Sequence, residues 1–362
     1  MNKKIKAAIV LVLFAVALSG CKKEQKDTDV IIPLQETEEV ETKEPSMEPE
    51  ATKEVETHKG KAQSTLTGEW IKKSLTKKRP YAIMINNILA ANPQSGTSQA
   101  SILYEAVVEG GITRMMGIFE DFDAERIGST RSARHYFVSF ADEYDAIYVH
   151  FGQTKYADAK ISELRVDNLS GLSAIGSTVF YRDNSIKAPH NAFASYDGVI
   201  KGTKQLGYRT RLRKNVNTFD FYEDNTDIQG KTADKVILGF SNYTSPYFTY
   251  NKKTGLYDRY QFGGAHIDKA AGKQLSFQNI IIQIVNEWDI DKNGYQTMDI
   301  EHASGKGYYI TNGKAEEITW EKNESDKTRT YYGADGKKLT MNPGKTYIAI
   351  YPKKRLSKLS IS

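Results

Sequence analysis

The chain has 362 residues, a formal net charge of +5, 39% apolar residues and a single cysteine. One cysteine excludes an intramolecular disulfide framework and a cysteine-rich metal centre. The charge excess is mild and no Lys/Arg run exceeds three residues, as in Pro352-Lys353-Lys354-Arg355, so nucleic-acid binding is not expected.

Residues 1–20 read as a signal peptide. Lys3, Lys4 and Lys6 precede an apolar run from Ala7 to Ala17, whose 11 residues are too few to span a bilayer. Leu18-Ser19-Gly20-Cys21 follows, and small residues before a cysteine resemble the lipobox of bacterial lipoproteins. Lipidation at Cys21 would make it the acylated N-terminus and leave no free thiol in the chain. Residues 22–65 contain no Phe, Tyr or Trp and carry a net charge of −5. Such a segment cannot bury enough apolar surface to fold, so 21–65 is expected to be a lipidated tether, with a reach of roughly 35–40 Å.

The remaining residues carry +7 and hold all 22 tyrosines and all three tryptophans. Nearly 300 residues suggest two folding units, expected as an α/β domain over 66–235 and a β-rich domain over 236–362. In the first, 81–86 reads as an apolar strand and 92–99 as a loop. The spacing over 99–111 predicts a helix ending at Gly110-Gly111, and 112–120 a strand. A helix over 132–145, a strand over 146–152 and a helix over 154–165 follow. This alternation predicts a layered domain with a mixed or parallel sheet. In the second, 245–262 reads as strand–turn–strand, 279–290 as a β-rich segment and 345–352 as a closing strand. Asn293-Gly294, Asn312-Gly313 and Asp335-Gly336 mark hairpins. The fold class expected is α+β.

The segments "RPYAIMINN", "NPQSGTSQASILYEAVVEGGITRMMGIFE", "IGSTRSAR", "YVHFG" and "APHN" resemble the N-terminal part of the YerB-like lipoprotein family. "FTYNKKTGLYDRY", "GGAHID", "FQNIIIQ" and "GKGYYITNGKAEEITW" resemble that family's C-terminal part. The resemblance covers about 76–352 and implies an exported, lipid-anchored bacterial protein with an α+β fold in two parts. It is a family of unknown function, so it implies no catalytic residues and no cofactor.

The candidate chemistry centres on 125–137, "ERIGSTRSARHYF". With Ser129 or Thr130 as a helix cap, Arg131 and Arg134 fall near the positive end of the helix dipole, where cations cost about 0.3–1 kcal/mol. Two kinds of anion would offset them. Glu105 and Glu109, four apart on one helical face, with Arg114 just beyond, would form a structural ion-pair network. A phosphate or carboxylate ligand would instead use the guanidiniums and the backbone N–H groups of the 128–132 turn. His150, at a strand end, is a second candidate, as an acid/base or anion donor. Arg182, Lys187, His190 and Asn191 around Pro189 suit a loop lining a cleft, and His266 with Asp268 forms a weak pair. No H-E-x-x-H, P-loop or G-x-S-x-G motif is present, and no metal site is expected.

Three functions compete. The first is an envelope lipoprotein binding an anionic ligand or a protein partner through an Arg/His-lined cleft. The second is a hydrolase or transferase on a wall glycan or phosphate-bearing polymer, with Glu105, Glu109, His150 and His190 as catalytic candidates. The third is a scaffold with no small-molecule site.

Overall fold

Every residue of Tyr81–Asn87 (β1) is buried. Ala82 and Met84 enter one apolar cluster, whereas Ile83 and Ile85 enter another. Side chains of a strand alternate between its faces, so a strand covered on both faces reads as a continuous apolar run. Ile102–Val107 (β2) and Thr113–Phe119 (β3) are buried throughout for the same reason. The helix expected over 99–111 is therefore a strand. A short apolar run covered on both faces satisfies helical spacing equally well, and periodicity alone does not separate the two.

The next elements fall where the sequence places them: α1 (His135–Glu143), β4 (Ile147–His150) and α2 (Lys155–Leu164); a short β5 (Asn168–Ser170), not expected from the sequence, follows. In the second half, Tyr247–Asn251 and Leu256–Gln261 pair antiparallel, as the strand–turn–strand reading requires. Then come β6 (Asn279–Val285), β7 (Ala303–Thr311), β8 (Lys314–Lys322) and β9 (Thr346–Pro352). The β7–β8 turn holds Asn312 at φ 46° and Gly313 at φ 73°, the pair of positive values a two-residue hairpin needs.

Strands β1–β9 join one mixed sheet of 11 strands, with central order β8-β7-β6-β9-β2-β3-β1-β4-β5. β9 lies between β6 and β2, parallel to both. The halves expected to meet near residue 235 thus share one sheet, and Glu56–Ser362 is a single compact unit. α1 covers one face through Tyr136, Phe137 and Phe140. A second, six-stranded sheet covers the other through Val236, Leu238, Phe248 and Tyr257. The fold is α+β.

The computed structural model describes residues 58–362, apart from 214, 215, 217, 218 and 324–326. The signal peptide, Cys21 and most of the expected tether lie outside the described residues. The end of that tether is folded: Lys61–Gln63 pairs with Trp70–Lys72, and Ser64 is buried and donates to Glu120. Local pairing to a Trp-bearing strand supplies what residues 61–65 lack in aromatics of their own. Among the described residues no helix is long and apolar enough to cross a membrane.

Candidate functional site

The sheet separates the two glutamates. In the β2–β3 register Glu105 lies opposite Met115, and Ala106 opposite Arg114. Directly paired residues share a face. Met115 belongs to the cluster under the second sheet, so Glu105 points there, whereas Ala106 and Arg114 point toward α1. Glu109 follows β2 in a 3₁₀ turn, Glu109–Gly111, free of the strand's alternation.

Glu105 is fully buried and fully partnered. It accepts from Arg259 (2.7 Å), Tyr347 (2.7 Å), Thr113 (2.6 Å) and Asn87 (2.9 Å). Arg259 is equally inaccessible and also meets the His266 ring, whose Nε2 lies 2.5 Å from Gln94 Oε1. Burial, and then the charge of Arg259, hold the His266 pKa well below its ordinary value. Glu105 therefore faces neither Arg131 nor Arg134. His266 and Asp268 do not pair with each other. Asp268 instead accepts from the N–H groups of Gly96 (2.9 Å) and Ser98 (2.8 Å).

The arginines gather on the other face. Arg134 makes a bidentate pair with Glu109, with Nε 2.5 Å from Oε1, and donates to the carbonyls of Ala133 (2.8 Å) and Ser132 (3.2 Å). Arg114 donates to the Ser132 carbonyl at 2.6 Å, is only 5% exposed and has no ion pair among the described residues. Its Nε is buried without a hydrogen-bond partner there. Burial, then the neighbouring charge of Arg134, pull the Arg114 pKa down to about 9, with Glu109 opposing and Arg131 adding to the fall. Among the described residues the Arg131 side chain bonds only to the Pro189 carbonyl, at 3.4 Å, and its pKa is lowered by burial and by Arg134. Three guanidiniums thus face one carboxylate.

The hairpin of Phe180–Arg182 and Ala192–Ala194 carries His190 to this cluster. Its Nδ1 lies 2.9 Å from the Asn86 amide, and its pKa is lowered by burial and by Arg131. Asn86 pairs with Arg114 across β1 and β3, so both stand on one face at the strand ends. Arg182 and Asn191 bond to each other at 2.7 Å on the same hairpin, and Arg182 stacks over Phe151 at 4.7 Å. Asn86 and Ser132 were not legible as site residues. The only sign of the first was a polar pair, Asn86-Asn87, closing an apolar strand.

Two details of the opening loop differ from expectation. α1 begins at His135 with Arg134 as its N-cap and no side-chain cap, so Ser129 and Thr130 do not cap it. Segment 127–130 is extended: the N–H of Gly128 donates to Ser95 and that of Thr130 to Ala192. The N–H groups of Gly128 and Thr130 are therefore not free for a ligand. Gly128 sits at φ 132°, and a Cβ there would approach the Thr130 nitrogen to 2.5 Å, so this step of the chain requires glycine.

His150 is fully buried. Its Nδ1 donates to the Gly152 carbonyl (2.8 Å), Nε2 lies 3.2 Å from the Asn168 amide, and burial lowers its pKa. Both ring nitrogens of this histidine thus lie within hydrogen-bond reach of groups of the fold itself. Among the described residues no three His, Cys, Asp or Glu side chains gather as metal ligands. Cavities of about 430, 410 and 300 Å³ lie elsewhere in the fold.

Residues 66–209 match the N-terminal domain of a protein family of unknown function, DUF3048, and residues 236–348 match its C-terminal domain. A relative from Bacillus subtilis (strain 168), named "Putative lipoprotein YerB", is 35% identical over 81% of this chain and 87% of its own length. The crystal structure of YerB from Bacillus subtilis superposes with a TM-score of 0.75 at 33% identity, covering 83% of this chain and 99% of that one. The chain belongs to the YerB-like DUF3048 family, with both its N-terminal and C-terminal domains.

Proposed function

We propose that the protein is a lipid-anchored lipoprotein of the bacterial cell envelope, on the extracytoplasmic face, that binds an anionic ligand through Arg114, Arg131 and Arg134 beside His190. One observation carries the ligand site: Arg114 is only 5% exposed, yet has no carboxylate partner among the described residues. A buried charge left unpaired is costly, and like charge from two further arginines adds to the cost. An anion at the cluster would relieve both. Guanidinium forks favour phosphate or carboxylate groups, so a phosphate-bearing envelope component is the preferred ligand. The enzymatic alternative is weaker, because Glu105 and His150 are both saturated by structural partners.

The anchor reading rests on the lone Cys21 after Leu18-Ser19-Gly20 and on a relative named as a lipoprotein. A Cys21→Ala chain should leave the membrane fraction for the medium or stay unprocessed; tight membrane association in high salt would refute the anchor. For the ligand site, inorganic phosphate should raise the melting temperature of the wild-type chain, and Arg131→Ala should abolish that rise. An equal rise in both would remove the arginines from the site.

A further inference from the structure

A second cluster of unpaired donors lies far from the arginines in the register of the sheet. A cavity of about 410 Å³ is lined by Thr97 and Ser98 from the loop before β2, and by Lys273, Gln274 and Lys345 from the second half. Gly344 allows it to form. At φ 139° its Cβ would stand 2.5 Å from Gln278 Cβ, so only glycine lets the loop before β9 pack against Gln278 and turn Lys345 inward.

Lys345 is half-buried, donates to the Ser98 carbonyl and has no ion pair among the described residues. An ammonium has three donors, so two remain for another partner. Burial, then the charge of Lys273, lower its pKa. Of the nearby carboxylates, Glu69 lines the same cavity without an ion pair among the described residues, and Asp268 is already bound to the Gly96, Ser98 and Ala270 N–H groups. The Thr97 and Ser98 hydroxyls are buried with no partner among the described residues. Buried hydroxyls are ordinarily hydrogen-bonded, so two orphans on the wall of one cavity are unusual.

We propose that this cavity binds a small sugar acid. The carboxylate would sit on Lys345 and Lys273. The hydroxyls of the sugar match the Thr97 and Ser98 hydroxyls and the Gln274 Oε1, an acceptor, since Gln274 Nε2 already donates to the Arg259 carbonyl at 2.7 Å. A lysine is a compact point charge suited to one carboxylate, whereas the arginine cluster offers planar forks. The site is independent of the anion site proposed above.

Calorimetric titration of the full chain with D-glucuronate tests this, with D-glucose as the neutral comparison. Glucuronate should bind and glucose should not. Lys345→Gln should weaken glucuronate binding roughly ten-fold or more, the loss of a charge-assisted hydrogen bond. Arg131→Ala should leave it unchanged. Absence of glucuronate binding, or equal binding by the wild type and Lys345→Gln, would overturn the proposal. If Lys345→Gln does not fold, Lys273→Gln replaces it: this side chain is exposed, and its removal should weaken binding by at least three-fold.

Discussion

Two clusters of the same residue types lie on opposite faces of one sheet. Under the second sheet, Glu105 and Arg259 are both inaccessible, and each carboxylate oxygen has donors. Beside α1, Arg134 pairs with Glu109, while Arg114 and Arg131 have no ion pair among the described residues. The first cluster ties together strands 154 residues apart in sequence and is closed to ligands. The second keeps an excess of positive charge that the fold itself does not neutralise. Charge alone therefore does not distinguish scaffold from site. The balance of charge after pairing does.

The largest effect should come from breaking the closed cluster. Glu105→Gln leaves Arg259 charged and buried, and should cost about 3–5 kcal/mol by denaturant titration. Adding Arg259→Met should cost less than the two single changes summed, since the pair is removed together. Full additivity would show that the two groups do not act as a unit.

Next in size, Arg134→Ala strands Glu109, whose side chain is 23% exposed. The cost should be smaller, about 1–3 kcal/mol, because water reaches the carboxylate that remains. A loss as large as that of Glu105→Gln would erase the contrast between the clusters.

Glu120 sharpens the comparison as a carboxylate with no cation paired to it among the described residues. Burial raises its pKa from 4.5 to about 7, against the hydrogen bond from Ser64 and with the help of Asp121. Its folded form holds a proton more readily than its unfolded form. Its contribution to stability is therefore present at low pH and lost as pH rises from 4.5 to about 7. Glu120→Gln removes that loss. The variant should gain about 1–2 kcal/mol on the wild type between pH 5 and pH 8, seen in urea melts at both values. A constant difference across that range would show that Glu120 does not titrate with folding.

The smallest effect on stability should be that of Arg131→Ala. Its side-chain hydrogen bond to the Pro189 carbonyl is long, at 3.4 Å, and it has no ion pair among the described residues. The change should stay within about 0.5 kcal/mol by denaturant titration. A cost above about 2 kcal/mol would place Arg131 with the structural arginines.

Local chemistry determined much of this protein from sequence alone. Lys3, Lys4, Lys6 and Leu18-Ser19-Gly20-Cys21 carry the export and anchor reading, because such signals are short and contiguous. The strands at 81–87, 279–285 and 346–352 and the Asn312-Gly313 hairpin follow from apolar runs and turn geometry between neighbours in the chain. The three arginines and His190 were named from sequence, and the fold brings them together. What sequence could not decide was pairing across distance. Whether 99–111 is helix or strand depended on β9 and β3 flanking it, which local periodicity does not report. That choice placed Glu105 and Glu109 on different structures rather than on one helical face. Only the tertiary structure could show that Glu105 belongs to Arg259, and that Arg114 is left without an anion of its own.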